Sequence, residues 1–401
     1  MPDLVTSTRR RPPLWLLRLA GWLLLGGAIL WIWSRPHPGG RPDPETSGLM
    51  ILRDQVYHDF EGSRRMLDVI LPAGERDQDG EALRPAILAI HGGSWIGGSK
   101  SDILPIGAQL AREGFVVFAA DYRMSRPGRP GWPGALNDLR QAVDWIRQHA
   151  GRFRVDPDRL AAVGFSAGGH LALLLGLSAC EDELPAERRS RLGAVVSFSG
   201  PTDLPALAAG RRLISDPVWT FVGGRGPDAV SRARVASPIS HVSSRSAPIL
   251  LIHGTDDLWI PPEQSLALAE RLRAAGVFHR LIQLPGVRHG FGLQVTVPTA
   301  IDLTPTLLDF LSTAWLPRVS GEGRRWLREE DEVPVDSAPP VTVVSSPRTS
   351  CEEFAVAPKP RFQQTLPGES TGRFNSAGRP RCSSLNSGPR GGKMKSSIPN
   401  P

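Results

Sequence analysis

Leu160-Ala161-Ala162-Val163-Gly164-Phe165-Ser166-Ala167-Gly168-Gly169-His170-Leu171-Ala172-Leu173-Leu174 is the stretch on which the fold turns. It opens as a short apolar run of strand character and closes as a helix-like apolar run, with G-x-S-x-G between them. That pattern demands a strand-to-helix turn so sharp that the serine carries a strained backbone. Small residues two before and two after it let the chain pass without clash. The N–H groups at the start of the helix then face the serine and favour negative charge there. Ser166 is therefore the candidate nucleophile.

Outward from this turn, Met50 to Leu316 alternates between two kinds of segment. Short β-branched runs occur at Met66–Leu71, Ala86–His91, Phe115–Ala120, Leu160–Phe165, Ala194–Ser199, Ile249–His253 and Arg280–Leu284. Amphipathic stretches lie between them, at Pro133–Ala150, Ala167–Ser178, Pro262–Ala275 and Thr304–Ala314. Such alternation predicts an α/β fold, a mostly parallel sheet with helices on both faces. Gln55–Phe60 and Met66–Leu71, joined by Glu61-Gly62-Ser63-Arg64, read as an antiparallel hairpin ahead of the parallel part. In such sheets the chemistry gathers at the carboxyl ends of the strands.

Three of those ends carry suitable groups. The run Ala86–Ile90 ends in His91-Gly92-Gly93-Ser94-Trp95, a glycine-rich loop whose backbone N–H groups could face an oxyanion. Gly93, Ser94 and Ala167 are the expected donors, and His91 reads as a structural hydrogen-bonder. The run Ile249–Ile252 is followed by His253-Gly254-Thr255-Asp256-Asp257, two adjacent carboxylates of which one can serve a base. His289, in Gly286-Val287-Arg288-His289-Gly290, sits in a loop after the last strand and is the candidate base. The order Ser, acid, His suits a triad of this architecture. His253 and His279 belong to strands, His241 precedes the acid, and His170 points inward from the serine's helix.

The ends of the chain read differently. Thr8-Arg9-Arg10-Arg11 precedes an apolar run of 20 residues, Leu14 to Trp33, interrupted only by Arg18. At about 1.5 Å per residue it just crosses a hydrocarbon core of about 30 Å. Trp31 and Trp33 suit the far interface, and the Arg cluster favours an N-inside orientation. The expectation is a membrane anchor, or a signal segment, with a Pro/Gly linker to residue 48. The catalytic domain, 49–316, would then lie outside the cytoplasm, or be secreted if residues 1–40 are cleaved. The signal reading lacks a small-x-small site, because Ser34-Arg35-Pro36-His37-Pro38 follows. Residues 317–401, rich in Pro, Ser and Arg, are expected to form a disordered tail.

Composition narrows the classes further. The net charge of +7 is modest for 401 residues, and its Arg residues are scattered among Asp and Glu, which argues against a nucleic-acid partner. Three Cys residues are neither a disulfide framework nor a zinc site. No metal and no cofactor is expected.

Several motifs agree in order with a known group. Asp156-Pro157-Asp158-Arg159-Leu160, Gly164-Phe165-Ser166-Ala167-Gly168-Gly169-His170-Leu171-Ala172, His91-Gly92-Gly93-Ser94-Trp95, Gly98-Ser99-Lys100, Asp121-Tyr122-Arg123 and Ser199-Gly200-Pro201-Thr202-Asp203-Leu204 resemble the bacterial feruloyl and acetyl-xylan esterase-like proteins. Those lie near the hormone-sensitive-lipase group of the α/β-hydrolase superfamily. The resemblance covers roughly Leu49 to Leu316 and implies an α/β-hydrolase fold with an eight-stranded sheet. It implies a serine esterase on small-molecule esters, acyl, feruloyl or acetyl esters of carbohydrates among them. It also selects the acid: the family pattern H-G-x-x-D-x-x-[VI]-P is met by Asp257 with Ile260-Pro261. Ser94 departs from the usual third glycine of the H-G-G-G loop, though its N–H survives. The rival readings are an aryl formamidase or peptidase with the same triad, and a non-catalytic binding module of the same fold. Pocket shape is expected to depend on the loops Ser125–Pro133 and Arg211–Val235.

Overall fold

Strands buried on both faces need apolar residues at every position rather than at alternate ones. Leu160–Phe165 and Ile249–Ile252 meet that demand, as does Ala194–Phe198 apart from Ser197, and all three lie in the sheet interior. The computed structural model describes residues 48–60, 62–72, 83–178, 192–210, 212–296 and 300–316, and the strand Thr342–Ser345. All belong to one compact unit. The apolar run 14–33, its linker, the three cysteines and nearly all of 317–401 lie outside the described residues.

The strands are β1 (Met50–Phe60), β2 (Ser63–Leu71), β3 (Arg84–Ile90), β4 (Val116–Ala120), β5 (Val155–Phe165), β6 (Ala194–Phe198), β7 (Ile249–Gly254) and β8 (His279–Leu284). They stand side by side in the order β1-β2-β4-β3-β5-β6-β7-β8. From β4 to β8 every pairing is parallel, and β1 and β2 form the expected antiparallel hairpin. The mostly parallel eight-stranded sheet is thus present. Two small strands, β9 (Gln294–Val295) and β10 (Ile301–Asp302), pair separately.

A ninth strand of the main sheet, β11 (Thr342–Ser345), pairs antiparallel with β8, Thr342 opposite Gln283 and Ser345 opposite Arg280. It falls within 317–401, the segment read from sequence as a disordered tail, nearly all of which lies outside the described residues. The open edge of β8 presents unpaired backbone groups, and Thr342-Val343-Val344 is a β-branched run fit to take them up.

The pleat divides the core in two. Leu88, Ile90, Leu160, Ala162, Val195 and Leu251 face the helices α2 (Gly134–Gln148), α4 (Ala167–Leu177) and α8 (Glu263–Ala274). Ile87, Ala89, Ala161, Val163, Val196 and Ile252 face α1 (Leu104–Arg112) and α9 (Thr304–Ala314). A short α3 (Ala150–Phe153) leads into β5. α4 is apolar almost all round because almost all of it is buried.

The segment expected to be a loop, Arg211–Val235, is mostly helical. It contains α6 (Arg212–Val222) and α7 (Pro227–Val235), preceded by α5 (Leu204–Gly210). Pro217 inside α6 and the glycines at 223, 224 and 226 are residues that normally signal a turn, and here they sit within or between short helices. The Ser125–Pro133 segment is irregular, as expected, and is tied to α6 by Trp132 N–H donating to Phe221 C=O at 3.0 Å.

Two buried carboxylates brace the hairpin end of the sheet. Asp138 of α2 accepts from Arg65 of β2 and from Arg123 after β4. Asp68 of β2 meets Lys100 Nζ at 2.8 Å, which also reaches Asp54 at 2.8 Å. Removing their cationic partners would leave a buried carboxylate uncompensated, a strongly destabilising change.

Candidate active site

The G-x-S-x-G turn forms where β5 meets α4. Ser166 has φ +53° and ψ −118°, a conformation that L-residues seldom adopt. The turn is tight enough that a Cβ on Gly164 would lie 2.3 Å from the Gly168 carbonyl oxygen, and one on Gly168 would lie 2.1 Å from that of Ile90. G-x-S-x-G is thus a packing requirement here. Ser166 N–H donates to the Phe198 carbonyl at 2.8 Å, anchoring the turn to β6.

Three side chains from three strand ends meet. Ser166 Oγ lies 3.0 Å from His289 Nε2, and His289 Nδ1 lies 2.6 Å from Asp257 Oδ2. Asp257 is almost fully buried, and its Oδ1 accepts from the N–H groups of Trp259 and Ile260, each at 2.9 Å. Burial pushes its carboxyl pKa up. Hydrogen bonds from His253 and His289 outweigh that, with the Ile260 N–H adding to them, and hold it well below the usual carboxylate range. Asp257 is therefore an anion at neutral pH. Asp256 points elsewhere: it is exposed, and its Oδ1 accepts from Thr255 Oγ1. Phe165 flanks the His289 ring at 5.0 Å.

The loop after β3 is held in an unusual form. Gly93 has φ +109°, and a Cβ there would fall 2.1 Å from the Gly97 carbonyl oxygen. Ser94 and Trp95 follow at φ +53° and +61°. Two consecutive left-handed residues that are not glycine cost roughly 1–2 kcal/mol each, so their neighbours must enforce them. Among the described residues, the N–H groups of Gly93, Ser94 and Ala167 have no acceptor.

His91, His253 and His170 are held away from Ser166 by contacts of their own. His91 is buried, stacks on Tyr122 at 4.4 Å, and bonds the Gly92 carbonyl through Nδ1. His253 is held by Ser265 Oγ and the Ile260 carbonyl, with Nε2 3.4 Å from Asp257. His170 points inward, and its Nδ1 accepts from the Trp95 indole. Sequence reasoning misses that last pair because its members lie 75 positions apart. Among the described residues no cluster of His, Cys, Asp and Glu is arranged to hold a metal ion.

Known proteins share this architecture. Over 230 residues the chain is 34% identical to Esterase LipC of Mycobacterium tuberculosis, covering 54% of this chain and 56% of that protein. It therefore spans little more than half the length of that relative. Among solved structures, Thermogutta terrifontis esterase 2 phosphorylated by paraoxon is 27% identical, covering 69% of this chain and 95% of that one, with a TM-score of 0.51. A truncated carbohydrate esterase from gut microbiota is 25% identical, covering 69% and 99%, with a TM-score of 0.56. The BD-FAE family model matches residues 67–272, more than half of the chain. With its parallel sheet, G-x-S-x-G turn and this match together, the protein belongs to the BD-FAE family and has the α/β-hydrolase fold.

Proposed function

We propose that the protein is a carboxylic-ester hydrolase working through an acyl-enzyme on Ser166. The observation that carries this reading is the unbroken hydrogen-bonded chain Ser166–His289–Asp257. The Asp257 carboxylate can only accept, so His289 Nδ1 bears the proton and Nε2 is free to take the one on Ser166 Oγ. Oγ attacks the ester carbonyl carbon as that proton moves to Nε2. The carbonyl oxygen becomes an oxyanion, held by the N–H groups of Gly93, Ser94 and Ala167. Collapse expels the alcohol, which takes the proton from Nε2, and water repeats the cycle to release the acid.

The relatives support this class. LipC is named an esterase, one structural neighbour was phosphorylated by paraoxon, and another is a carbohydrate esterase. Short acyl esters, including those on carbohydrates, are the proposed substrates. Purified protein should hydrolyse acetyl to butyryl nitrophenyl esters and acetylated or feruloylated sugars. It should leave formanilides and aminoacyl anilides nearly untouched. Faster turnover of formanilides would replace the reading with the formamidase one.

We further propose that residues 14–33 anchor the protein in a membrane with the hydrolase outside the cytoplasm. Support comes from the length of the apolar run and the Arg residues before it. Full-length protein should sediment with membranes, and protease added to spheroplasts should digest the hydrolase domain. A protected domain would overturn the orientation.

A further inference from the structure

The oxyanion of the proposed reaction would be held by two separate elements, the loop after β3 and the first turn of α4. The β3–β5 ladder sets them side by side, Ile90 opposite Gly164. Among the described residues, a side-chain bond from residues just beyond the donors then ties the loop to the helix. Trp95 follows Ser94 directly, and His170 lies one turn along α4 from Ser166, its N–H donating to the Ser166 carbonyl at 3.0 Å. The Trp95 indole N–H donates to His170 Nδ1 at 3.1 Å, and both side chains are buried. His170 Nε2 then carries the ring's proton and donates to the Ala236 carbonyl, at 2.7 Å, just past α7. Trp95 also stacks on Phe221 of α6, centroids 4.9 Å apart, and its carbonyl accepts from Ser125 N–H at 2.7 Å.

We propose that the Trp95–His170 hydrogen bond is a positioning device that sets the left-handed Ser94–Trp95 loop in register with the nucleophile's helix, so that donors from both elements converge on one oxygen. The indole N–H can only donate, so the bond requires a neutral His170 with an unprotonated Nδ1. Burial supplies that, lowering the His170 pKa to about 3. The oxyanion exists only beyond the ground state, so losing the register lowers kcat and leaves KM nearly unchanged. A direct donor deletion costs about 10²–10³ in rate; a displaced donor should cost less, about tenfold.

The inference rests on the serine-hydrolase reading, and its test separates the two. Trp95→Phe keeps the stacked ring and removes only the N–H. His170→Leu removes the acceptor. Each should lower kcat about tenfold at unchanged KM, and the double variant should fall no further, since both lose one bond. His170→Asn, which restores an acceptor where Nδ1 was, should recover most of what His170→Leu loses, whatever its Tm. Parent activity in Trp95→Phe, additive losses, or no recovery in His170→Asn would each overturn the inference while the parent still hydrolyses esters. If Trp95→Phe does not fold, the Leu and Asn variants at 170 decide the matter. A parent that neither labels with a fluorophosphonate nor hydrolyses esters would overturn the underlying reading instead.

Discussion

Ser166→Ala should abolish ester hydrolysis and fluorophosphonate labelling while the melting temperature stays at or above that of the parent. Oγ makes one side-chain hydrogen bond, to His289 Nε2, so its removal leaves no buried donor stranded. The Cβ is unchanged, and alanine at φ +53° is no worse placed than serine. The turn, the β6 anchor and the packing of α4 should all persist. Chemistry should not, because no other hydroxyl lies within bonding distance of His289 among the described residues. Loss of a triad nucleophile typically costs about 10³ to 10⁶ in rate, the remainder reflecting the oxyanion donors and binding. A rate assay on purified protein, with a thermal melt alongside, decides the point. Undiminished hydrolysis would remove Ser166 from the mechanism.

Much of this arrangement is legible in the amino-acid order alone, for physical reasons that differ from residue to residue. The parallel strands stand out because burial on both faces leaves little freedom but apolar, β-branched residues, as at Ile249–Ile252. Ser166 and its flanking glycines are legible because the turn excludes a Cβ at 164 and 168. His289 follows from its place after a strand end. Other features carry no local signal. α6 and α7 each contain a proline and are separated by glycines, which mimics a loop, and α6 is held by contacts such as Phe221 against Trp95 and Trp132. β11 is four residues in a polar stretch, and it pairs because the edge of β8 is open. The bond between Trp95 and His170 joins positions that only the fold brings together. Asp256 and Asp257 stand at one strand end with equal chemistry. Family pattern favours the second, and the geometry supplies the reason: Asp257 turns inward onto the N–H groups of Trp259 and Ile260.

That same geometry makes Asp257→Asn the sharper test of the base. Asp257 Oδ1 serves two backbone N–H groups at 2.9 Å, and Oδ2 faces His289 Nδ1 at 2.6 Å. An asparagine has one oxygen for both tasks. The two backbone donors are fixed in the turn, that of Ile260 fully buried, so the amide oxygen should stay with them, which turns the NH2 toward His289. Nδ1 must then accept, the ring proton moves to Nε2, and Nε2 can no longer take a proton from Ser166. Loss of the anion also removes the charge that would stabilise the imidazolium. The shape of the site would be nearly unchanged, yet kcat should fall about 10³- to 10⁴-fold, as fixing the wrong tautomer does in other triads. Asp256→Asn, at an exposed side chain bonded only to Thr255 among the described residues, should change little. Nitrogen NMR of the His289 ring should show the protonated nitrogen switching from Nδ1 to Nε2 in Asp257→Asn alone. If Asp256→Asn proves the more damaging, or if Asp257→Asn keeps the parent tautomer and rate, Asp257 does not orient the base.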